Sequence, residues 1–215
     1  LALRFMNVGH FLDHLVLLIF PTAVLAIHRA WGLSYAEAIA MATPGFLALT
    51  LATLPCGWLG DRWGGVPMMR LFFIGTGVAC ILTGLATGPV GLASGLVLVG
   101  LFAAIYHPVA TAMVVALAER PGKALGTNGV WGNLGVALAA AITALLTVQI
   151  GWRAAFIVPG LVSLAVGIAY AALSAPRPQS RSRPVAPADP IDPALRRRVF
   201  LVVGASALLG GMTFN

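Results

Sequence analysis

The feature that most constrains this chain is a series of apolar runs, each long enough to cross a lipid bilayer as a helix. The hydrocarbon core of a bilayer is about 30 Å thick, and a helix needs roughly 20 apolar residues to cross it. We predict six complete spans, at 5–27, 36–56, 69–87, 91–117, 124–149 and 153–173. With 60% hydrophobic and 9% charged residues, the composition excludes an ordinary soluble domain. We therefore expect an all-α, multi-pass membrane protein.

The chain divides into three parts. Residues 1–173 are predicted to form a six-helix transmembrane bundle, and the proline-rich segment 174–198, with six arginines, is predicted to be a linker outside the bilayer. Residues 199–215 are apolar again and are predicted to begin a seventh helix. Because the chain starts at Leu1 rather than Met and stops within an apolar run at Asn215, we expect a fragment that lacks its carboxyl-terminal half.

The basic residues predict the orientation, because lysine and arginine accumulate in cytoplasmic loops. One side of the predicted bundle carries Arg4, Arg62, Arg70, Arg120, Lys123 and the six linker arginines, and the other carries Arg29 and Arg153. We therefore expect a cytoplasmic amino terminus and linker in a bacterial inner (plasma) membrane. This bias explains the net charge of +7, so no nucleic-acid partner is expected.

The segment 57–65, GWLGDRWGG, combines an acid, a base and four glycines between the second and third runs. We predict a short cytoplasmic turn, because glycine allows a tight turn and a close approach of two helix ends. In place and residue type, the segment resembles the signature of the major facilitator superfamily. The matching residues are Gly57, Leu59, Asp61, Arg62 and Gly64.

Other segments extend the resemblance. Gly151, Trp152 and Arg153, followed by Phe156 and the Pro159–Gly160 pair, look like the entry to helix six in that superfamily. The segments GHFLDH, YHPVATA and GTNGVWGNLG are similar to its fosmidomycin-resistance-like group.

The resemblance implies the amino-terminal half of a secondary active transporter that works by alternating access, not an enzyme. It implies a small-molecule substrate and membrane lipid as partners, and no cofactor; protons are expected as a further partner from the polar residues described below. It also implies a cytoplasmic gate in which the charged turn joins the other inner loops and the second half. By position, the gate residues are Gly57, Asp61, Arg62, Gly64, Arg70 and Arg120. The alternative is a solvated turn without a gating role.

Polar residues inside the apolar runs are costly in a bilayer and point to function. In the first run, Asn7, His10, Asp13 and His14 recur at spacings of three and four, which places them on one helical face. His14 lies ten residues beyond Arg4, or about 15 Å deeper, near the membrane midplane. An acid beside imidazoles can exchange a proton near neutral pH, so we hypothesise proton coupling.

The fourth and fifth runs bring further polar groups to similar depth. His107 lies ten residues before the inner end of the fourth run, and Pro108 predicts a kink there. Asn128, Trp131 and Asn133 enter from the inner side in the fifth run. We assign these residues, with the first-run group, to a substrate or proton pathway. For each histidine, a structural hydrogen bond to a backbone carbonyl remains an alternative.

Two other functions stay open. His10, His14 and His107 could bind a metal in a membrane-embedded metalloprotein, because histidines at i and i+4 suit a metal ion. The chain could also be a non-transporting assembly or sensor protein on a transporter fold. The glycines of the fifth run, Gly126, Gly129, Gly132 and Gly135, partly resemble an antiporter signature, and close helix packing explains them equally well.

Overall fold

A computed structural model describes residues 1–174, 192, 194–195, 197–199 and 201–202. Six helical stretches in it are long and apolar enough to cross a membrane, which confirms the predicted fold class. The first span comprises α1 (Ala2–Leu17) and α2 (Ile19–Trp31), the second α3 (Tyr35–Ala40) and α4 (Thr43–Trp63), the third α5 (Gly65–Gly84), the fourth α6 (Pro89–Ala103) and α7 (Tyr106–Leu117), the fifth α8 (Pro121–Gln149) and the sixth α9 (Trp152–Leu173). The predicted linker 174–198 and seventh helix 199–215 lie largely outside the described residues.

Three spans are broken near a proline. A proline lacks an N–H and its ring clashes with the carbonyl four residues earlier. Each of the three breaks falls four residues before a proline. The last residue of α1 lies four before Pro21, the last residue of α3 lies four before Pro44, and the C-cap residue of α6 lies four before Pro108. The break at 104–105 is the kink predicted from Pro108, and it sets the direction of α7 near His107.

The signature segment differs from its prediction. The sequence predicts that helix two ends at 56 and that 57–65 is a short turn, but α4 continues to Trp63 and the turn is confined to Gly64. Gly64 has φ 87°, a conformation that side-chain-bearing residues rarely adopt. The other glycines of the segment accept helical angles, so they do not end the helix. Asp61 and Arg62 therefore lie in the last turn of α4 rather than in a loop.

Small residues let the spans approach closely. A Cβ atom added to Gly77 of α5 would lie 2.8 Å from the Gly160 carbonyl oxygen of α9, so these two backbones are nearly in contact. Gly135 of α8 packs in the same way against the backbone of Phe11 in α1. Around Gly126 and Gly129, by contrast, a Cβ would meet no described atom within 4 Å. Packing therefore explains Gly132 and Gly135 but not Gly126 and Gly129.

Candidate functional site

Three histidines from two spans meet at one place in the bundle. His10 and His14 are one turn apart on α1, and their Nε2 atoms are 3.1 Å apart. His107, in the first turn of α7, has its ring centre 5.3 Å from that of His10 and 5.6 Å from that of His14. The structure thus brings together residues whose depth along each helix predicts that they are neighbours.

Asp13 lies beside this histidine cluster and is buried. Its side chain is 1% exposed, whereas that of His107 is 55% exposed, and Oδ2 of Asp13 lies 3.4 Å from Nε2 of His107. This distance allows an ion pair, but neither carboxyl oxygen has a hydrogen-bond partner among the described residues. The carboxyl group is therefore buried, and the imidazole beside it, that of His107, is partly exposed at the surface.

A hydrogen-bond network fixes His10 from the other side. The Asn128 backbone carbonyl accepts a hydrogen bond from Nδ1 of His10 at 2.8 Å. The Asn128 side chain donates to Oδ1 of Asn7 at 3.1 Å and to the Tyr106 hydroxyl at 3.0 Å. Tyr106 in turn donates to the Met6 carbonyl at 2.6 Å. The network joins α1, α7 and α8. His10 therefore makes a hydrogen bond to a backbone carbonyl, which is the purely structural role considered above as an alternative for each histidine.

Tyr106 is the site residue that sequence reasoning missed. It is fully buried, and its ring stacks on His10 with centres 5.0 Å apart. An available signal was its place next to His107 and two residues before Pro108. An aromatic residue in an apolar run is so common that it does not stand out there.

Two glycines make room for the cluster. A Cβ on Gly132 would lie 2.5 to 2.7 Å from three ring atoms of His10, and one on Gly9 would lie 2.9 Å from the Tyr106 ring. A Cβ atom does not approach a non-bonded ring atom this closely, so any larger residue would displace the aromatic rings. The position of His10 therefore depends on glycine in α8 as well as on α1.

Trp131 and Asn133 are not part of this cluster. The Trp131 side chain is 38% exposed and Asn133 is also exposed. Asn133 lies five residues beyond Asn128, which corresponds to about 140° around an α-helix. It therefore occupies a different face of α8 from Asn128. The assignment of both residues to the pathway stays a prediction.

The predicted gate residues are placed separately. Among the described residues, no salt bridge joins Asp61 to Arg62, Arg70 or Arg120. The guanidinium of Arg62 lies 4.1 Å from the centre of the Trp58 ring. Arg70 donates to the carbonyl of Ala171 at 3.2 Å and also to that of Ser174, so it caps the end of α9.

The remaining gate positions lie at two helix ends and at one contact between helices. Arg120 is the N-cap residue of α8, and Gly64 forms the turn between α4 and α5. Gly57 faces Pro108, and a Cβ atom added to this glycine would lie 3.4 Å from the proline Cβ. The charge cluster of the gate stays a prediction, because it is expected to include the second half of the protein.

Two cavities are bordered by residues of the candidate site. One, of about 420 Å³, is bordered by His107, Leu17 and residues of α4 that include Thr50 and Thr53. The other, of about 450 Å³, is bordered by Asn7 and by the charged residues of the turn before α8. The charged residues of that turn are Glu119, Arg120 and Lys123. Asn7 and His107 therefore each border a space that a small molecule could enter.

Comparison with known proteins identifies the family. The family model described as Major Facilitator Superfamily matches residues 6–215. The chain belongs to this superfamily. It is therefore part of an integral, multi-pass membrane protein of a transporter family, as its six apolar helical stretches also indicate. The likeness to the fosmidomycin-resistance-like group within the superfamily stays a prediction.

Two curated relatives match part of the chain. The probable sulfoacetate transporter SauU of Cupriavidus necator is 32% identical over 130 residues, covering 59% of this chain and 30% of that protein. The puromycin resistance protein pur8 of Streptomyces alboniger is 31% identical over 134 residues, covering 61% of this chain and 27% of that protein. The matched region therefore spans less than a third of either relative.

A solved structure shares the fold. A bacterial homologue of the human lysosomal transporter Spinster, in an inward-facing and unoccupied conformation, superposes with a TM-score of 0.70 at 19% identity. The superposition covers 95% of this chain and 48% of that one. The six-span bundle therefore corresponds to about half of a complete transporter of this fold.

Proposed function

We propose that the protein is a proton-coupled secondary transporter that moves a small organic solute across the bacterial inner membrane by alternating access. Membership of a transporter superfamily and two transport-related relatives support this function. The distribution of arginine and lysine supports a cytoplasmic amino terminus. In this proposal, the first six spans rock against a second half, and the histidine cluster faces the space between them.

The observation that carries proton coupling is the buried Asp13 beside His107. A lone carboxylate in a low-dielectric interior costs several kcal/mol. The pair is stable as a carboxylic acid with a neutral imidazole, or as a carboxylate with an imidazolium, and both forms hold one proton. Release of that proton would leave an uncompensated charge, unless water or substrate reaches the pair. Proton release would therefore follow the opening of the cavity to one side.

Proton flux in proteoliposomes tests this function. Full-length protein would be reconstituted with a pH-sensitive dye inside, and sulfoacetate or puromycin would be added outside, because relatives are named for these compounds. We expect at least one of the two to change the internal pH and to accumulate when a pH gradient is imposed. A non-transporting assembly or sensor protein would give no flux of either compound above protein-free liposomes.

We also propose that Asp61 helps to close the cytoplasmic side by pairing with a basic group of the second half. Asp61 is exposed at the end of α4 and has no salt bridge within the described residues, so it is available for such a contact. An exposed ion pair is worth about 0–1 kcal/mol, enough to bias two conformations of similar free energy.

Asp61→Asn should therefore slow transport by up to about fivefold, the equivalent of about 1 kcal/mol, with little change in thermal stability. Initial rates of solute uptake in proteoliposomes would measure this change, and Asp61→Glu should restore most of the rate. Wild-type rates in Asp61→Asn would show that the residue is only a solvated helix end.

A further inference from the structure

The ring nitrogens of His10, His14 and His107 are close enough together to be ligands of one metal ion. One ring nitrogen of each lies within 4.8 Å of the other two, and the Nε2 atoms of His10 and His14 are 3.1 Å apart. Two imidazole nitrogens bound at 2.0–2.1 Å to a tetrahedral zinc ion are about 3.3 Å apart. We propose that these three histidines bind a divalent transition-metal ion of the zinc type from the cavity side.

One of the three histidines has the hydrogen-bond partner that metal-binding histidines usually have, and a second has a carboxylate beside it without a hydrogen bond. A ligating histidine usually donates its second ring N–H to a carbonyl or a carboxylate, which fixes the tautomer and the ring orientation. Nδ1 of His10 does so to the Asn128 carbonyl, which puts the lone pair of His10 on Nε2. That nitrogen accepts a hydrogen bond from Nε2 of His14, and a metal ion would take the place of the shared proton. His107 has Asp13 beside its Nε2, so its Nδ1 is the nitrogen left for coordination.

Asp13 also supplies the charge that a cation needs in the membrane. A dication in a low-dielectric interior requires a compensating anion nearby. Asp13 is buried next to the cluster, and its oxygens have no hydrogen-bond partner in the described part of the chain. A carboxylate behind the ligands would offset the charge of the ion without having to coordinate it directly.

The ligand type selects the ion. Imidazole nitrogen suits Zn²⁺, Co²⁺, Ni²⁺ and Cu²⁺, whereas Ca²⁺ and Mg²⁺ take oxygen ligands. Three protein nitrogens leave a fourth tetrahedral position, and the 55% exposure of His107 gives an ion access to the cluster. A bound ion requires neutral imidazoles, so it would compete with protons at the same residues.

Binding of Co²⁺ to the full-length protein tests the proposal without any transport assay. Chelator-stripped protein in detergent would be titrated with Co²⁺, whose visible absorption reports a tetrahedral nitrogen site, and Zn²⁺ would then be added to displace it. We expect one equivalent to bind, and His14→Gln and His107→Gln each to weaken binding by at least about tenfold. Asp13→Asn should weaken it as well, because it removes a supporting group.

His28 provides a matched control. It is the fourth histidine of the chain, it lies near the end of α2, and its Nδ1 is 3.3 Å from the Leu33 carbonyl rather than in the cluster. His28→Gln should bind Co²⁺ like the wild type. A loss in His28→Gln equal to that in His14→Gln would overturn the proposal, as would the absence of saturable one-to-one binding by the wild type.

A measurement on the unmutated protein covers the case in which a variant does not fold. Diethyl pyrocarbonate modifies accessible neutral histidines, and peptide mass spectrometry would locate the modified residues. Saturating Zn²⁺ should protect His107 and leave the modification of His28 unchanged. Equal modification of His107 with and without Zn²⁺ would contradict the proposed site.

Discussion

Asp13→Asn is expected to abolish solute accumulation driven by a pH gradient while leaving solute exchange across the membrane intact. Asparagine has the same size as aspartate, so the packing around α1 should change little. It cannot carry the proton that the carboxyl group shares with His107, which lies 3.4 Å away. Gradient-driven uptake in proteoliposomes should fall by at least about tenfold, equivalent to about 1.4 kcal/mol or more.

The exchange reaction is the control for this variant. Counterflow of labelled substrate needs binding and conformational change but no net proton movement, so Asp13→Asn should support it. Asp13→Glu, which keeps the carboxyl group, should retain part of the gradient-driven uptake. Wild-type accumulation by Asp13→Asn would eliminate this residue from proton coupling, and loss of both reactions would indicate a structural role instead.

Gly135→Ala should destabilise the bundle, because α1 and α8 are in backbone contact at this point. An added methyl group would overlap the Phe11 carbonyl oxygen and lie 3.1 Å from its carbonyl carbon and Cα. Backbone atoms cannot move aside as a flexible side chain can. Overpacking of this kind costs about 1–3 kcal/mol. Denaturant titration of the purified full-length protein, followed by circular dichroism, would measure the lower free energy of unfolding.

The matched control is Gly129→Ala, in the same helix and about 9 Å away along its axis. A Cβ there would meet no described atom within 4 Å, and alanine favours a helix over glycine by about 0.5–1 kcal/mol. This variant should be as stable as the wild type or more stable. If the two variants are equally destabilised, the loss does not come from contact between α1 and α8.

Much of the site was predictable because helix geometry is regular. The spacing of His10, Asp13 and His14 fixes one face of α1, and counting residues from the membrane interface places His107 at the same depth. Those two facts do not establish contact, because a helix can rotate about its axis without changing the depth of any residue. The same uncertainty explains Asn133, which is assigned by depth and lies on an exposed face of α8.

The gate shows a different limit. Sequence places Asp61 and Arg70 on the same side of the membrane, and the structure assigns Arg70 to the end of α9 through the carbonyls of Ala171 and Ser174. These acceptors are backbone atoms some hundred residues away in the chain, and backbone acceptors carry no residue-type signal. A partner of this kind is visible only after the helices are packed.

Sequence alone determined the six spans, because the length and hydropathy of each apolar run can be compared with the thickness of a bilayer. It also determined the family, because the signature residues lie in one short segment. Tertiary structure decided which polar groups meet. The Tyr106 ring stacks on His10 because α7 begins after the break before Pro108, and His10 fits against α8 because Gly132 has no side chain. Contacts between helices depend on the rotation and separation of each pair, and no single helix encodes either.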